Sequence, residues 1–522
     1  MLASEAKKSV LIVGAGPVGL TAAAWLTKLG VTVDIVDKKS GPVSDSRALG
    51  VHARTLEFMS AFGLHEEMIR KGNITRFMTF HRFNKALFKL DFNKIKHLTR
   101  FPYMLVLPQS RTERILVNHL SVQRVPVQWQ VECVGLVETE HGVTVQLTSE
   151  GKLKERAYAY VIAADGASSP IRNQLGIPFE GETYDARFLL SEAGIADNAI
   201  ARNSSHVFMG ETTTVAVIPQ PDDVYRIVGP DFAKAAEGEN LTGGQGMEFS
   251  EFDSFLRNQG LLQHVDIQDA SRLVNYRIHK RIAKSFQSQR VFLAGDAAHI
   301  HSPAGGQGMN TGIHDVMNLG WKLAAVLHGH GKPSLLASYH SERFSAVKTV
   351  IDGADQAMMK VVNRSWLWRL FLDNVAPVVS RFVQPKKLLA TIAQLTWNYE
   401  AQGIDHQAQS YSPGSRFPDL SLTNGKSVHQ VLGLTSRPLF FVSGADLKPS
   451  TQEHKLVAHG RKYVGQVHPT TFRLVNPLED EQGKPFVGVV AVRPDGYVLA
   501  NVPWAKAGVA TPLAQDLVLN PA

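Results

Sequence analysis

Through its first 70 residues the chain alternates short unbroken aliphatic runs with apolar positions at helical spacing. Residues 10–13 are all aliphatic, the pattern of a strand covered on both faces. Residues 20–29 then follow a helical pattern closed by Gly30, and residues 31–36 return to a strand pattern that stops at Asp37. The pattern predicts a helix near 51–62, a hairpin over 74–92 turning at Asn84-Lys85, and a helix over 111–123. Short strands over 125–147 turn at Gly142, and an apolar run over 158–163 leads into Asp165. Strand patterns dominate from about 187 to 276, with one helix near 248–257. Another buried strand is predicted over 290–294 and a helix over 308–329, and helical spacing continues to about 402. Tyr411-Ser412-Pro413-Gly414-Ser415-Arg416-Phe417-Pro418 reads as a linker. Residues 413–522 read as a small α/β unit, marked by a buried strand over 486–492, the turn Arg493-Pro494-Asp495-Gly496 and a strand over 497–500. No internal repeat or low-complexity tract interrupts this order.

The first strand runs into Gly14-Ala15-Gly16-Pro17-Val18-Gly19. In such a loop the first glycine permits a tight turn, the second lets backbone approach a pyrophosphate, and the third lets helix and strand pack closely. The helix N-terminus then offers free N–H groups and the positive dipole end to phosphates. Asp37, twenty-three residues after Gly14, is placed to accept hydrogen bonds from an adenosine ribose. Two further aspartates end apolar runs downstream, in Ala164-Asp165-Gly166 and in Gly295-Asp296-Ala297-Ala298-His299. The second is followed by Pro303-Ala304-Gly305-Gly306-Gln307-Gly308-Met309-Asn310, whose glycines expose backbone N–H groups at a helix start. There Asp296 suits a polyol hydroxyl, and the glycine-rich stretch suits charge on a reduced ring. The three motifs together point to one FAD held by segments far apart in the chain.

At 522 residues the chain has material for two or three domains. The net charge of +8 comes without a long Lys/Arg run, so it suits anionic cofactors better than nucleic acid. Cys133 is the only cysteine, which excludes an intramolecular disulfide, a CxxC redox pair and a multi-cysteine metal site. No metal ligand set is read, and a reducing, cytoplasmic setting is expected. No apolar leader precedes the first strand. The apolar segment 366–395 is broken by Arg369, Asp373, Arg381, Lys386, Lys387, Pro377 and Pro385, so no transmembrane span is expected.

On these motifs the chain resembles the class A FAD-dependent aromatic hydroxylases, the para-hydroxybenzoate and phenol hydroxylase superfamily. The resemblance is strongest over residues 9–350, and the C-terminal part resembles the thioredoxin-like domain of the phenol hydroxylase branch. It implies an α/β fold, with a Rossmann-like FAD-binding domain, an interleaved substrate domain of α+β type built on a β-sheet, and the thioredoxin-like domain. The boundaries expected are 1–73 with 101–185 and 285–355 for FAD, 74–100 with 186–284 for substrate, 356–412 for a helical connector and 413–522 for the last domain. Carried over by motif, Gly14, Gly16, Pro17, Val18 and Gly19 would hold the pyrophosphate, and Asp37 with Lys38 the ribose end. Arg47 would lie near the pyrophosphate or flavin, and Gln109 would touch the ribityl chain. Asp165 would serve FAD and NADPH, while Gly295, Asp296, Pro303, Gly306, Gly308, Met309 and Asn310 would surround the ribityl and isoalloxazine. His299 and Asp315 share the pattern and read as structural.

Tyr276 matches a substrate-contacting tyrosine and is the catalytic candidate; Tyr225, Arg226 and His206 lie on the same expected sheet. The implied reaction uses NADPH or NADH and O2 to hydroxylate a phenolic or polycyclic aromatic through a flavin C4a-hydroperoxide. Baeyer–Villiger oxidation or epoxidation on the same fold is the alternative. Partners implied are the aromatic substrate, O2 and the nicotinamide; a homodimer stays open. No second Gly-x-Gly-x-x-Gly marks a separate nicotinamide domain. The C-terminal unit lacks cysteine, so thiol chemistry is closed to it and a structural or dimer-contact role is left.

Overall fold

A computed structural model of the chain describes residues 8–43, 48–196, 199–210, 213–231, 249–300, 306–362, 385–399 and 415–419, with shorter C-terminal pieces at 422, 426–432, 439–443, 456–458, 461–463, 471–473, 478–479, 485–486 and 488–503. The first sheet has five parallel strands in the order Val291–Leu293, Tyr160–Ala163, Ser9–Val13, Thr32–Asp37, Gln128–Trp129. Its central strand is aliphatic throughout because both faces are covered. The helices Pro17–Lys28, Gln109–Val122 and Gly308–Leu327 pack on one side. A three-stranded antiparallel meander, Glu132–Thr139, Gly142–Ser149 and Lys152–Tyr158, contributes Leu136, Val143, Val145 and Leu147 to the same core. The last meander strand is absent from the sequence reading. Lys152-Leu153-Lys154-Glu155-Arg156 shows no apolar alternation because that strand is a solvent-exposed edge.

The helix Pro17–Lys28 lies in a notch cut into Gly308–Leu327. A Cβ on Gly320 would stand 2.4 Å from Trp25 Cδ1, and one on Gly312 would stand 2.6 Å from Val18 Cγ2. These two glycines, two helical turns apart, let the helices close on Val18 and Trp25. Trp25 Nε1 donates to the carbonyl of Met317 at 3.2 Å, so the buried indole is satisfied.

An eight-stranded sheet follows the order His299–Ile300, Ile267–Ala283, Phe179–Ile195, Val224–Asp231, Thr214–Pro219, Ser204–Met209, Phe77–Arg82, Lys85–Asp91. The hairpin 77–91 enters by parallel pairing with Ser204–Met209, so one sheet is assembled from separated stretches of chain. One of its faces carries Ala193, Phe208, Val217, Tyr225 and Ile227 against Leu256 and Leu261, at and after the helix Phe249–Asn258. The other face meets the nucleotide unit, where Ile218 packs on Leu49, Met104 and Val106.

In the C-terminal part, Leu439–Ser443 pairs parallel with Thr471–Arg473 and antiparallel with Gly488–Val492, which pairs antiparallel with Val498–Pro503. Phe417, Val428, Val431, Val490, Val492 and Val498 form its core. Of the helices expected to complete a thioredoxin-like unit, the described residues include only the single turn Val428–Val431. Most of the helical connector expected over 356–412 also lies outside them. Among the described residues, no helix is long and apolar enough to cross a membrane.

Candidate functional site

The chemistry-bearing segments gather at the C-terminal edge of the parallel sheet, where open α/β sheets bind ligands. Gly14 follows Ser9–Val13, Ala164-Asp165 follows Tyr160–Ala163, Gly295-Asp296 follows Val291–Leu293, and Asp37 ends Thr32–Asp37. Gly14 has φ +103°, and a Cβ there would lie 2.2 Å from the carbonyl O of Ala164. A Cβ on Gly19 would lie 1.9 Å from the carbonyl O of Gly14. Gly16 differs: its Cβ would meet no protein atom within 4 Å. Two glycines are thus demanded by packing, and the third faces open space at the N-terminus of Pro17–Lys28. No side chain caps that helix end, so its first N–H groups are available to an anion.

Asp37 is buried and accepts the N–H of Ala15 at 2.7 Å and of Lys39 at 2.9 Å. Its carboxylate both fixes the glycine turn and retains lone pairs for a hydroxyl. Lys38 is exposed and reaches Glu132 at 3.7 Å.

Asp165 accepts the N–H of Ile171 at 3.3 Å through Oδ2, while its Oδ1 is buried without a protein partner among the described residues. Burial pushes its carboxyl above the ordinary aspartate value. Arg172 ties the two aspartate motifs together, donating to the carbonyls of Ala297 at 2.9 Å and Ala167 at 3.0 Å. Asp296 is exposed although Val291–Gly295 and Ala297–His299 are buried around it. The turn that presents it, with Gly295 at φ +61°, is held by the Gly295 N–H donating to Asp315 Oδ2 at 3.0 Å.

Asp315 also takes His299 Nε2 at 2.7 Å and Arg343 Nε at 2.8 Å. Burial opposes its ionisation, but His299 and Arg343 prevail and hold the carboxyl below its ordinary value. His299 and Asp315 therefore brace the turn from inside.

Asn310 uses its whole amide in the same way. Its Oδ1 accepts the N–H of His52 at 3.0 Å and Thr55 Oγ1 at 2.7 Å, and its Nδ2 donates to the carbonyls of Gly50 at 2.8 Å and Gly306 at 3.0 Å. It fastens the Gly306–Gly308 corner, where Gly306 has φ +63°, onto Gly50-Val51. Met309 is buried in the core, and Gly308 opens the helix. Gln109 donates to Glu113 Oε1 at 2.8 Å and accepts the N–H of Ala48 at 3.4 Å. Glu113, which motif reading missed, also takes the N–H of Val43 at 2.9 Å and so orders the segment after Asp37. Arg47 and Pro303 lie outside the described residues.

On the eight-stranded sheet the candidates separate by face. Arg226 pairs in register with Ile218 and with Glu192, so all three share the face that meets Leu49, Met104 and Val106. Arg226 is bonded to Glu192, which also accepts Gln220 Nε2 at 3.1 Å. Tyr225 belongs to the core on the opposite face. His206 is bonded to His81 at 2.9 Å, and His81 stacks on Phe208 of that same core. The backbone of Tyr276 pairs opposite Phe188; its side chain lies outside the described residues. Among the described residues, no cluster of three or more His, Cys, Asp or Glu could hold a metal.

These residues fit an FAD: an open glycine at a helix N-terminus, a buried acceptor at Asp165 and an outward carboxylate at Asp296, on adjacent strands. Residues 7–354 match the family described as FAD binding domain. The chain belongs to that family. It is 36% identical to 6-methylpretetramide 4-monooxygenase of Streptomyces rimosus, over 98% of this chain and 94% of that protein. It is 34% identical to pentachlorophenol 4-monooxygenase of Sphingobium chlorophenolicum, over 95% and 94% of the two chains. Among solved structures it is similar to OxyS anhydrotetracycline hydroxylase from Streptomyces rimosus, with TM-score 0.74 and 26% identity over 98% of this chain and 99% of that one. This family member is an FAD-dependent monooxygenase of the phenol hydroxylase-like superfamily.

Proposed function

We propose that the protein uses NAD(P)H and O2 to hydroxylate a phenolic or polycyclic aromatic substrate. The observation that carries this reading is the sheet face where Ile218 packs on Leu49, Met104 and Val106 and the bonded group of Arg226, Glu192 and Gln220 stands beside it in register. A flat apolar ligand with one acidic hydroxyl fits that chemistry. The names of the relatives, one of them a chlorinated phenol oxygenase, support the class.

When bound, FAD supplies hydride acceptance and oxygen activation. The protein's own part is to hold and orient. The Pro17–Lys28 N-terminus and Gly16 would take the pyrophosphate, Asp37 the ribose, and Asp296 the ribityl chain. The Gly306–Gly308 corner would place backbone N–H groups at the reacting ring. Ile218, Leu49, Met104 and Val106 pack into an apolar seam between the eight-stranded sheet and the nucleotide unit, which would help exclude water beside the bound cofactor. Glu192, bonded to Arg226, would accept the phenolic proton of the substrate.

The test is NAD(P)H oxidation by the purified protein over a panel of phenols and polycyclic aromatics, with product masses followed in parallel. Strong stimulation by one compound with gain of one oxygen atom is the expected result. Stimulation with peroxide but no oxygen insertion would identify an effector. Oxygen insertion beside a ketone would point to Baeyer–Villiger chemistry instead.

A further inference from the structure

The turn Arg493-Pro494-Asp495-Gly496 of the C-terminal unit is buried inside the FAD-binding unit. The Arg493 guanidinium spans both oxygens of Glu342, at 2.9 Å each, and on its other side meets Asp495 at 3.0 and 2.6 Å. It lies 5.1 Å from the ring centroids of Trp321 and Tyr399 and 5.7 Å from that of Tyr497. Such a fork–fork pair permits little rotation of either partner.

Glu342 also takes Lys322 Nζ at 3.0 Å and is bonded to Asn318, one turn apart on the helix that starts at Gly308. The next residue, Arg343, holds Asp315 of that helix, and Asp315 holds the N–H of Gly295. Through Glu342 and the adjacent Arg343 of one helix, Arg493 is thus linked to the turn that presents Asp296. A second arm leaves the same C-terminal turn. The carbonyl of Asp495 accepts Arg54 Nη2 at 2.7 Å, Arg54 Nη1 lies 2.8 Å from His429 Nε2, and Arg416 is bonded to Glu57. Arg54 and Glu57 sit on the helix Ala53–Ala61, directly after His52, whose N–H is fixed by Asn310.

We propose that Arg493 is a positioning residue of the flavin site, through which the C-terminal unit sets the Gly295-Asp296 turn and the Gly306–Asn310 corner. Charges buried in this number cost more desolvation than an apolar contact of equal size would, so adhesion alone does not account for them. What they supply is directional geometry, since each guanidinium is oriented by the carboxylates and carbonyl it bonds. The inference rests on the FAD site described above.

The test compares the full chain with Arg493→Met, Arg493→Lys, Glu342→Gln and Val490→Ala, the last an apolar residue of the C-terminal core whose side chain makes none of the bonds of either arm. FAD affinity of the apoprotein, the visible spectrum of bound flavin and the unfolding temperature are measured for each. Arg493→Met is expected to weaken FAD by about tenfold or more and to shift the flavin bands. Arg493→Lys should recover part of both, and Glu342→Gln should resemble Arg493→Met. Val490→Ala should lower the unfolding temperature while leaving affinity and spectrum as in the unaltered protein. Wild-type affinity and spectrum in Arg493→Met and Glu342→Gln would overturn the proposal, as would equal loss of FAD in Val490→Ala. If Arg493→Met is not recovered folded, Arg493→Lys and Glu342→Gln decide by the same criteria. An unaltered protein with no affinity for FAD would sink the cofactor reading itself.

Discussion

Val18 occupies the space that a side chain on Gly295 would need: its Cγ2 lies 2.9 Å from the position of a Cβ there. The same methyl lies 2.6 Å from a Cβ on Gly312, and that Cβ would stand 2.9 Å from Gly295 Cα. The fingerprint loop, the second aspartate turn and the helix after Gly308 thus meet at one apolar contact. The glycine loop and the Gly295-Asp296 turn are held in a fixed relation by it.

Gly312→Ala is therefore expected to push these three elements apart. Overpacking of this kind costs roughly 1–3 kcal/mol. Urea unfolding of the apoprotein would show the loss, and FAD titration would show weaker binding. Unchanged stability together with unchanged affinity would mean that the contact relaxes without consequence.

Gly14 and Gly16 should respond in opposite ways, although both belong to one motif. Gly14→Ala places a Cβ at 2.2 Å from a carbonyl oxygen at φ +103°, so the apoprotein itself should lose about 1–3 kcal/mol. Gly16→Ala meets no protein atom, so the apoprotein should keep its unfolding temperature while FAD binding falls. An FAD affinity left intact by Gly16→Ala would remove the pyrophosphate from that position.

Much of this site is legible in the sequence because glycine spacing and strand-terminal aspartates are local patterns. The loop at Gly14, the turns at Asp165 and Gly295, and the helix at Gly308 all stand where pattern and motif place them. What escapes is non-local. Glu113, Arg172 and Arg343 carry no motif, Arg493 reads only as the start of a turn, and their roles depend on partners up to 151 residues away, as for Arg493 with Glu342. The meander strand Lys152–Tyr158 escapes for a different reason, since an exposed edge imposes no alternation. Tyr225 and Arg226 show the limit of strand patterns: adjacent residues take opposite faces, and only the register tells which face meets Leu49, Met104 and Val106.

Acid should release the site through two buried carboxylates, Glu342 and Asp315. Glu342 is drawn down to about 2 from 4.5, burial opposing ionisation while Arg493 and Lys322 outweigh it. Asp315 is lowered in the same sense by His299 and Arg343. A carboxylate whose folded value is depressed contributes stability that is present above its unfolded value and lost as pH falls through the folded one. Stability should therefore decline between about pH 4.5 and 2, in the window set by Glu342. Glu342→Gln should flatten that decline, at the cost of a lower plateau near neutrality. A Glu342→Gln protein with the same acid limb as the unaltered one would assign the loss to other groups.

Arg226 offers the sharpest separation of substrate handling from cofactor handling. It lies on the sheet face that carries Ile218, which packs on Leu49, Met104 and Val106, and it is bonded to Glu192. Arg226→Met keeps the apolar stem and removes the charge that holds Glu192 in place. Losing one partner of such a pair costs up to about 3 kcal/mol of substrate binding where a charged hydrogen bond to the ligand is also lost. KM for the aromatic substrate should rise by about tenfold or more, while FAD affinity and the substrate-free rate of NAD(P)H oxidation stay within about twofold. A variant with unaltered KM and reduced FAD content would move Arg226 out of the substrate site and into the scaffold of the flavin.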